Sequence, residues 1–199
     1  MDVQTPANQA LADATLKQDL QGVRDALAAG ADPNAYFKGI SMLGWLEGAA
    51  ARFTEMGGER WLGILRTLLD AGADPNQSTD GPSGDPAYFL HFASQCALLQ
   101  AMGLLLRYGA NPNLLVDGTD TALDWASDDA AFIQIDKLPE EYVGRSLPEY
   151  PLPSDAEFDA QGLVFHRWLM SRYQRGIELL SEAGALHGHE LRTAASGLA

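Results

Sequence analysis

Apolar residues recur along the chain at helical spacing, in short runs that each end at a glycine. Val23, Ala26 and Leu27 lead to Gly30. Ile64, Leu65, Leu68 and Leu69 lead to Gly72. Met102, Leu105 and Leu106 lead to Gly109. Residues three and four apart share one side of a helix, so each run predicts a helix with a single greasy stripe. The glycine suits the left-handed residue that closes a helix. From that glycine onward the letters are nearly identical each time: GADPN at Gly30–Asn34 and at Gly72–Asn76, GANPN at Gly109–Asn113, and a degraded EAGAL at Glu182–Leu186. The alanine is small enough for close packing. The Asp/Asn-Pro-Asn after it forces an extended or turning backbone and bars the helix from resuming. The pentapeptide therefore reads as helix-stop punctuation.

A second helix is expected before each stop. LADAT (Leu11–Thr15) precedes the first, LHFAS (Leu90–Ser94) precedes the third, and LDWAS (Leu123–Ser127) comes after the third. Leu11 to Gly30 and Leu90 to Gly109 both span 20 residues, so two units share one helix-turn-helix-stop length. With FLHFAS and TALDWAS in the opening slot and GADPN or GANPN in the closing slot, the chain resembles the ankyrin-repeat family over most of its length. Three phased copies carry that resemblance. It implies an all-α fold, an ankyrin-repeat solenoid of about four helix-turn-helix units, with hairpin-like finger loops along one edge. Each unit then buries its apolar face only against its neighbours.

The implied organisation is a single domain over 1–199. Its units run about 5–40, 41–82, 83–118 and 119–187, with a C-terminal cap or tail at 188–199. Two units run long. Leu43 to Gly72 spans 30 residues, the excess falling around AARFTEMGGER, where a longer first helix and a glycine turn at Gly57–Gly58 would absorb it. Leu123 to Gly184 spans 62 residues and holds an insertion at about 129–160, with Pro139, Pro148, Pro151 and Pro153 among Tyr142, Tyr150 and Phe158. So many prolines forbid one continuous helix. From Gly162 a long final helix is expected, and the tail is expected to add a partial capping helix.

Charge changes the picture more than composition does. Hydrophobic residues make up 46% and charged residues 20%, an ordinary globular balance. The formal charge is −14, however, and between Asp117 and Asp159 twelve acids face only Lys137 and Arg145, a local net of −10. Such a field repels nucleic acid and anionic membranes and attracts basic partners. No apolar run reaches the roughly 18 residues of a membrane span. The N-terminus MDVQTPANQALADA has neither a basic nor an apolar leader segment, so the expected location is the cytoplasm. Cys96 is the only cysteine and forms no internal disulfide.

The candidate chemistry is thin. His91 sits in the repeat's histidine slot, and the resemblance gives it a structural bond to backbone. His187-Gly188-His189 has metal-binding types but no completing cysteine or paired carboxylate. Cys96 is placed near a turn with no basic neighbour to lower its pKa. GGER lacks the rest of a phosphate loop, and DGPSGD at Asp80–Asp85 lacks the alternating acids of a calcium loop. Thr121 is read as a helix cap, with Asp124 on the first turn. The expectation is therefore no enzyme, no cofactor and no metal. Trp45 and Trp125 fall on first helices, which form the concave wall in ankyrin repeats; they read first as part of the core and otherwise as binding anchors.

These readings converge on a protein-binding module, monomeric when free. Its predicted contact set is Asp80, Asp85, Asp117 and Asp120 on the fingers, Tyr88, Phe92, Asp124 and Trp125 on first helices, and Asp128 and Asp129 just beyond. A basic protein partner is implied. A small, acidic ankyrin-repeat protein of bacterial flavour resembles immunity proteins, which neutralise a toxin by covering its active site. The alternative is a scaffold or regulatory subunit without inhibition.

Overall fold

A computed structural model of the chain describes residues 5–50, 58–79, 87–132 and 162–196. Its helices are α1 (Pro6–Leu16), α2 (Leu20–Ala28), α3 (Met42–Ala50), α4 (Glu59–Asp70), α5 (Phe89–Gln95), α6 (Leu99–Arg107), α7 (Ala122–Phe132), α8 (Gly162–Glu182) and α9 (Gly188–Ser196). A hairpin of β1 (Tyr36–Phe37) and β2 (Ile40–Ser41) lies between α2 and α3. The molecule is thus mostly helical.

Local chemistry sets the helix ends. Thr5 caps α1 by accepting from the Asn8 N–H, with Pro6 in the first turn, where its missing donor costs nothing. Asp19 caps α2 by accepting from the Gly22 N–H. The stop glycines Gly30, Gly72, Gly109 and Gly184 have φ of 88°, 92°, 88° and 80°. At each, the alanine N–H after the glycine reaches back to the helix, as Ala31 does to the Ala26 carbonyl and Ala73 to that of Leu68. This double closure satisfies carbonyls that would otherwise lack partners. The helix-stop reading of the pentapeptide matches this geometry.

The helices form two rows. α1, α3, α5 and α7 each pack on the next, and α2, α4, α6 and α8 do the same behind them. The pairs α1–α2, α3–α4, α5–α6 and α7–α8 join the rows. The core lies between the rows. On α4 the stripe Trp61, Ile64, Leu65, Leu68 and Leu69 is buried. Trp61 stacks on Phe89 at 5.7 Å, and its indole N–H donates to the Leu46 carbonyl at 3.2 Å, so its polar atom goes in satisfied. α8 closes the back row by seating Gly176 against Met102, while Arg172 donates to the Ala97 carbonyl at 3.0 Å.

The pentapeptide does more than stop a helix. Its final asparagine ties one unit to the next. Asn34 donates to the Gly72 carbonyl at 2.8 Å and accepts from the Asp74 N–H at 2.6 Å. Asn76 does the same with Gly109 and Asn111, at 3.0 and 2.6 Å. Asn113 repeats it with Gly184 and Leu186, at 3.1 and 2.8 Å. A carboxamide carries one acceptor and one donor side by side, so it can copy a peptide group and bond to the neighbour's backbone twice. The third residue of the pentapeptide holds the asparagine in place: Asp32, Asp74 and Asn111 accept from the N–H two residues on, at 2.9, 2.9 and 3.0 Å.

After each of the first three stops the chain makes a pairing of extended segments. These are β1–β2, then the bridge Ser78–Tyr88, then the bridge Val116–Asp120. They occupy the places expected of finger loops. The fourth stop has none, and α9 begins almost at once. Gly188 stands where the next rung asparagine would be. A Cβ there would overlap the Thr119 carbonyl oxygen, so only glycine allows the approach. The long helix from Gly162 and the capping helix in the tail both appear. α7 continues to Phe132, past the expected start of the insertion near 129, and most of that insertion lies outside the described residues.

Candidate functional site

The four front-row helices align in sequence on a buried leucine: Leu11, Leu43, Leu90 and Leu123. Two residues further on comes a less buried position, at which Trp45 and Phe92 still pack against the edge of the core. It holds Asp13, Trp45, Phe92 and Trp125, of which Asp13 is exposed and the three aromatics are half-buried. The rings are held in place. Trp45 donates its indole N–H to the Phe37 carbonyl at 3.2 Å and lies 6.3 Å from the Phe37 ring. Phe92 packs on Phe89 at 5.6 Å. Trp125 meets His91 of the preceding helix edge-to-face at 5.4 Å, and His91 contacts Tyr88 at 5.7 Å. Aromatic residues therefore take equivalent places in three successive units.

The residue between leucine and aromatic reaches the next unit. Gly44 lets the Thr79 carbonyl come within 2.5 Å of where a Cβ would be. His91 is buried and its Nε2 lies 3.3 Å from the Asp120 carbonyl. A carbonyl only accepts, so Nε2 carries the proton. Burial pushes the His91 pKa down, against the opposing pull of the Asp120 backbone. The structural role implied for His91 is the one observed.

Asp124 occupies the same slot and is the most heavily bonded carboxylate among the described residues. It accepts from the N–H of Thr121 at 2.8 Å, the Thr121 hydroxyl at 2.9 Å and the Gly188 N–H at 2.8 Å. Its other oxygen meets His187 Nδ1 at 2.6 Å. Partial burial raises the Asp124 pKa, but the N–H groups of Thr121 and Gly188 and the side chains of His187 and Thr121 outweigh it, and the net shift is downward. Asp124 thus caps α7 together with Thr121 and clips α9 to it. Arg192 adds a bond to the Thr119 carbonyl at 2.7 Å.

Of the other predicted contact residues, Asp117, Asp120 and Asp128 are exposed and Tyr88 is half-buried. Asp80 and Asp85 lie outside the described residues, as does the side chain of Asp129. Tyr88 and Trp125 both meet His91, Phe92 packs on Phe89, and Asp117 and Asp120 lie at the third finger. Trp45, already placed on a first helix by the sequence, stands in the same row, and Asp13 is added to it. The signal for both was present as the second residue after each buried leucine.

The two rows differ sharply in charge. α1, α3, α5 and α7 carry no lysine or arginine and present Asp13, Glu47, Asp124 and Asp128. The arginines Arg24, Arg60, Arg66, Arg107, Arg172 and Arg175 all sit on the back row. Arg175 is engaged there by Glu178 at 2.9 Å and Glu182 at 3.3 Å. A groove of about 430 Å³ between α1 and α2 is floored by alanines and rimmed by Asp13, Lys17, Asp19 and Asp25. Among the described residues no cluster of His, Cys, Asp and Glu is arranged to hold a metal ion. No helix among them is long and apolar enough to cross a membrane.

No protein-family model matches the chain. A stretch of 66 residues is 38% identical to a putative E3 ubiquitin-protein ligase, XBAT34, of Arabidopsis thaliana, a protein that contains ankyrin repeats. The match covers 33% of this chain and 17% of the plant protein, so the chain spans only a small part of that relative's length.

Proposed function

We propose that the chain is an ankyrin-repeat protein that binds a basic protein through its front row of helices and the fingers beside it. The observation that carries this reading is the absence of any cation from the front helices, which hold aromatics and carboxylates, while the back helices mix arginines with carboxylates. The aromatic residues supply anchors, and the surrounding acids speed capture and favour a basic surface. Support for the ankyrin type comes from the two-row array, the repeated stops and the partial match to the plant protein. Ubiquitin-ligase chemistry is no part of the proposal.

The finer reading is inhibition: a basic toxic enzyme covered by an acidic face, as immunity proteins do, by a cytoplasmic monomer without enzymatic activity of its own. The test is retention from a lysate of the source organism on the immobilised chain, at about 50 mM and about 500 mM salt, because surface charges are screened over roughly 10 Å at 0.1 M. The expected result is one basic protein held stoichiometrically and released as salt rises, with its activity lost in the complex. Charge reversal at Asp117, Asp120 and Asp128 should weaken retention. If those reversals leave it unchanged, the electrostatic reading fails.

A further inference from the structure

The slot that reaches the next unit reverses its polarity at the end of the array. His91 on α5 donates to the Asp120 carbonyl, whereas Asp124, at the same place on α7, accepts. With Thr121 it makes a reciprocal cap on α7: the carboxylate takes the Thr121 N–H at 2.8 Å, and the Asp124 N–H faces the Thr121 hydroxyl at 3.4 Å. The same carboxylate takes the N–H of Gly188, the first residue of α9, at 2.8 Å. The N-termini of two helices, each the positive end of its peptide dipoles, therefore meet on one negative charge.

Little else holds α9. It is 9 residues long, and Gly188 is its one buried residue; Leu191 is half-buried and the rest are exposed. Arg192 donates to the Thr119 carbonyl at 2.7 Å, and Glu190 caps α9 from within by accepting the His187 N–H at 2.8 Å. Isolated helices shorter than about 12–15 residues are marginal in water. The helical form of α9 thus depends on its docking.

We infer that Asp124 is the pin of a latch: as a carboxylate it holds α9 on the end of the array, and on protonation it releases α9 while the four units stay folded. A protonated carboxyl has no charge and turns one oxygen into a donor, so it cannot accept from Thr121, Gly188 and His187 together. The inference does not rest on the proposed binding function.

The groups around the pin are known from each element packed there. His91 lies on α5, Asp117 and Asp120 on the third finger, Asp128 on α7, and His187, His189, Glu190 and Arg192 on the C-terminal segment. On α8, Arg175 is engaged by Glu178 and Glu182, and Arg172 by the Ala97 carbonyl. Among the described carboxylates, Asp124 is the one bonded to both α7 and α9. Burial raises its pKa, but its bonds outweigh burial and hold it below the ordinary 3.8. Ionisation therefore favours the closed latch. The latch is fully held above the ordinary carboxylate range, and its opening grows by up to about tenfold per pH unit as pH falls below that range.

The experiment follows amide exchange of the full chain from about pH 7 to about pH 3, with rates corrected for those of an unstructured chain at each pH. Protection across Leu191–Ser196 is expected to hold down to the ordinary carboxylate range and then to fall, while α4 stays protected. In Asp124→Asn, α9 should be weakly protected throughout, with no step. Glu190→Gln should weaken α9 but keep the step. Protection of α4 in the same sample establishes that each variant is folded. Protection of α9 that is independent of pH in the parent, or that is lost together with α4, overturns the latch. A step that survives in Asp124→Asn overturns it as well. Should that variant fail to fold, the titration of the parent decides alone.

Discussion

Removing one rung measures how strongly adjacent units are coupled. Asn76→Ala deletes the bond to the Gly109 carbonyl and the bond from the Asn111 N–H. It creates no core cavity, since both contacts lie at the surface. A net hydrogen bond contributes about 0.5–1.5 kcal/mol, and exposed groups recover part of the loss from water. The two together should therefore cost about 1–2 kcal/mol, against a total stability of roughly 5–15 kcal/mol. For a chain of this size that lowers Tm by about 2–8 °C. The assay is thermal and urea unfolding of Asn76→Ala beside Gln21→Ala, which removes only an exposed bond to Asp25. Amide exchange at Asn111 should quicken in the first variant alone. A Tm within about 1 °C of the parent, well inside that expected shift, with Asn111 still protected, would refute the claim that the asparagine couples the units.

Two further outcomes concern the clip between α7 and α9. The folded pKa of Asp124 lies below its ordinary value of 3.8, so ionisation favours the fold. That contribution is complete above the unfolded carboxylate range and disappears as pH falls through the folded value. Asp124→Asn should reduce stability at neutral pH and flatten the acid limb of a urea-midpoint profile, and an unchanged acid limb would contradict the assignment. Gly188→Ala places a methyl group against the Thr119 carbonyl. Hydrogen exchange should show faster opening of α9, with α1 to α6 protected as before.

The regular parts of this fold were readable because each unit solves the same local problem with the same letters. An apolar stripe ending in glycine, as in Leu68, Leu69 and Gly72, states a helix and its end. The capping role of Thr121 was equally local. The rung was hidden for a physical reason: GADPN explains itself within its own turn, and nothing local reveals that Asn76 bonds to a glycine 33 residues away. Asp124 shows the opposite difficulty. Its acidity suggested a partner contact, but its bonds to His187 and Gly188 come from 63 and 64 residues further on. The Trp45 and Asp13 positions were legible once the units were aligned on the buried leucine, because side-chain direction in a helix tracks that phase.

The unequal charge of the two rows gives the described helices a transverse electric dipole in addition to their net charge. The front helices carry carboxylates without cations, whereas the back helices set their arginines against Asp25, Glu59, Asp70, Glu178 and Glu182. In the field of an approaching basic body such a dipole experiences a torque. The molecule turns its front row toward that body before any surfaces touch, within the roughly 8 Å over which the field survives at physiological ionic strength. Fewer collisions are wasted on the wrong side, so the arrangement of charges acts on the orientation of the encounter as well as its frequency.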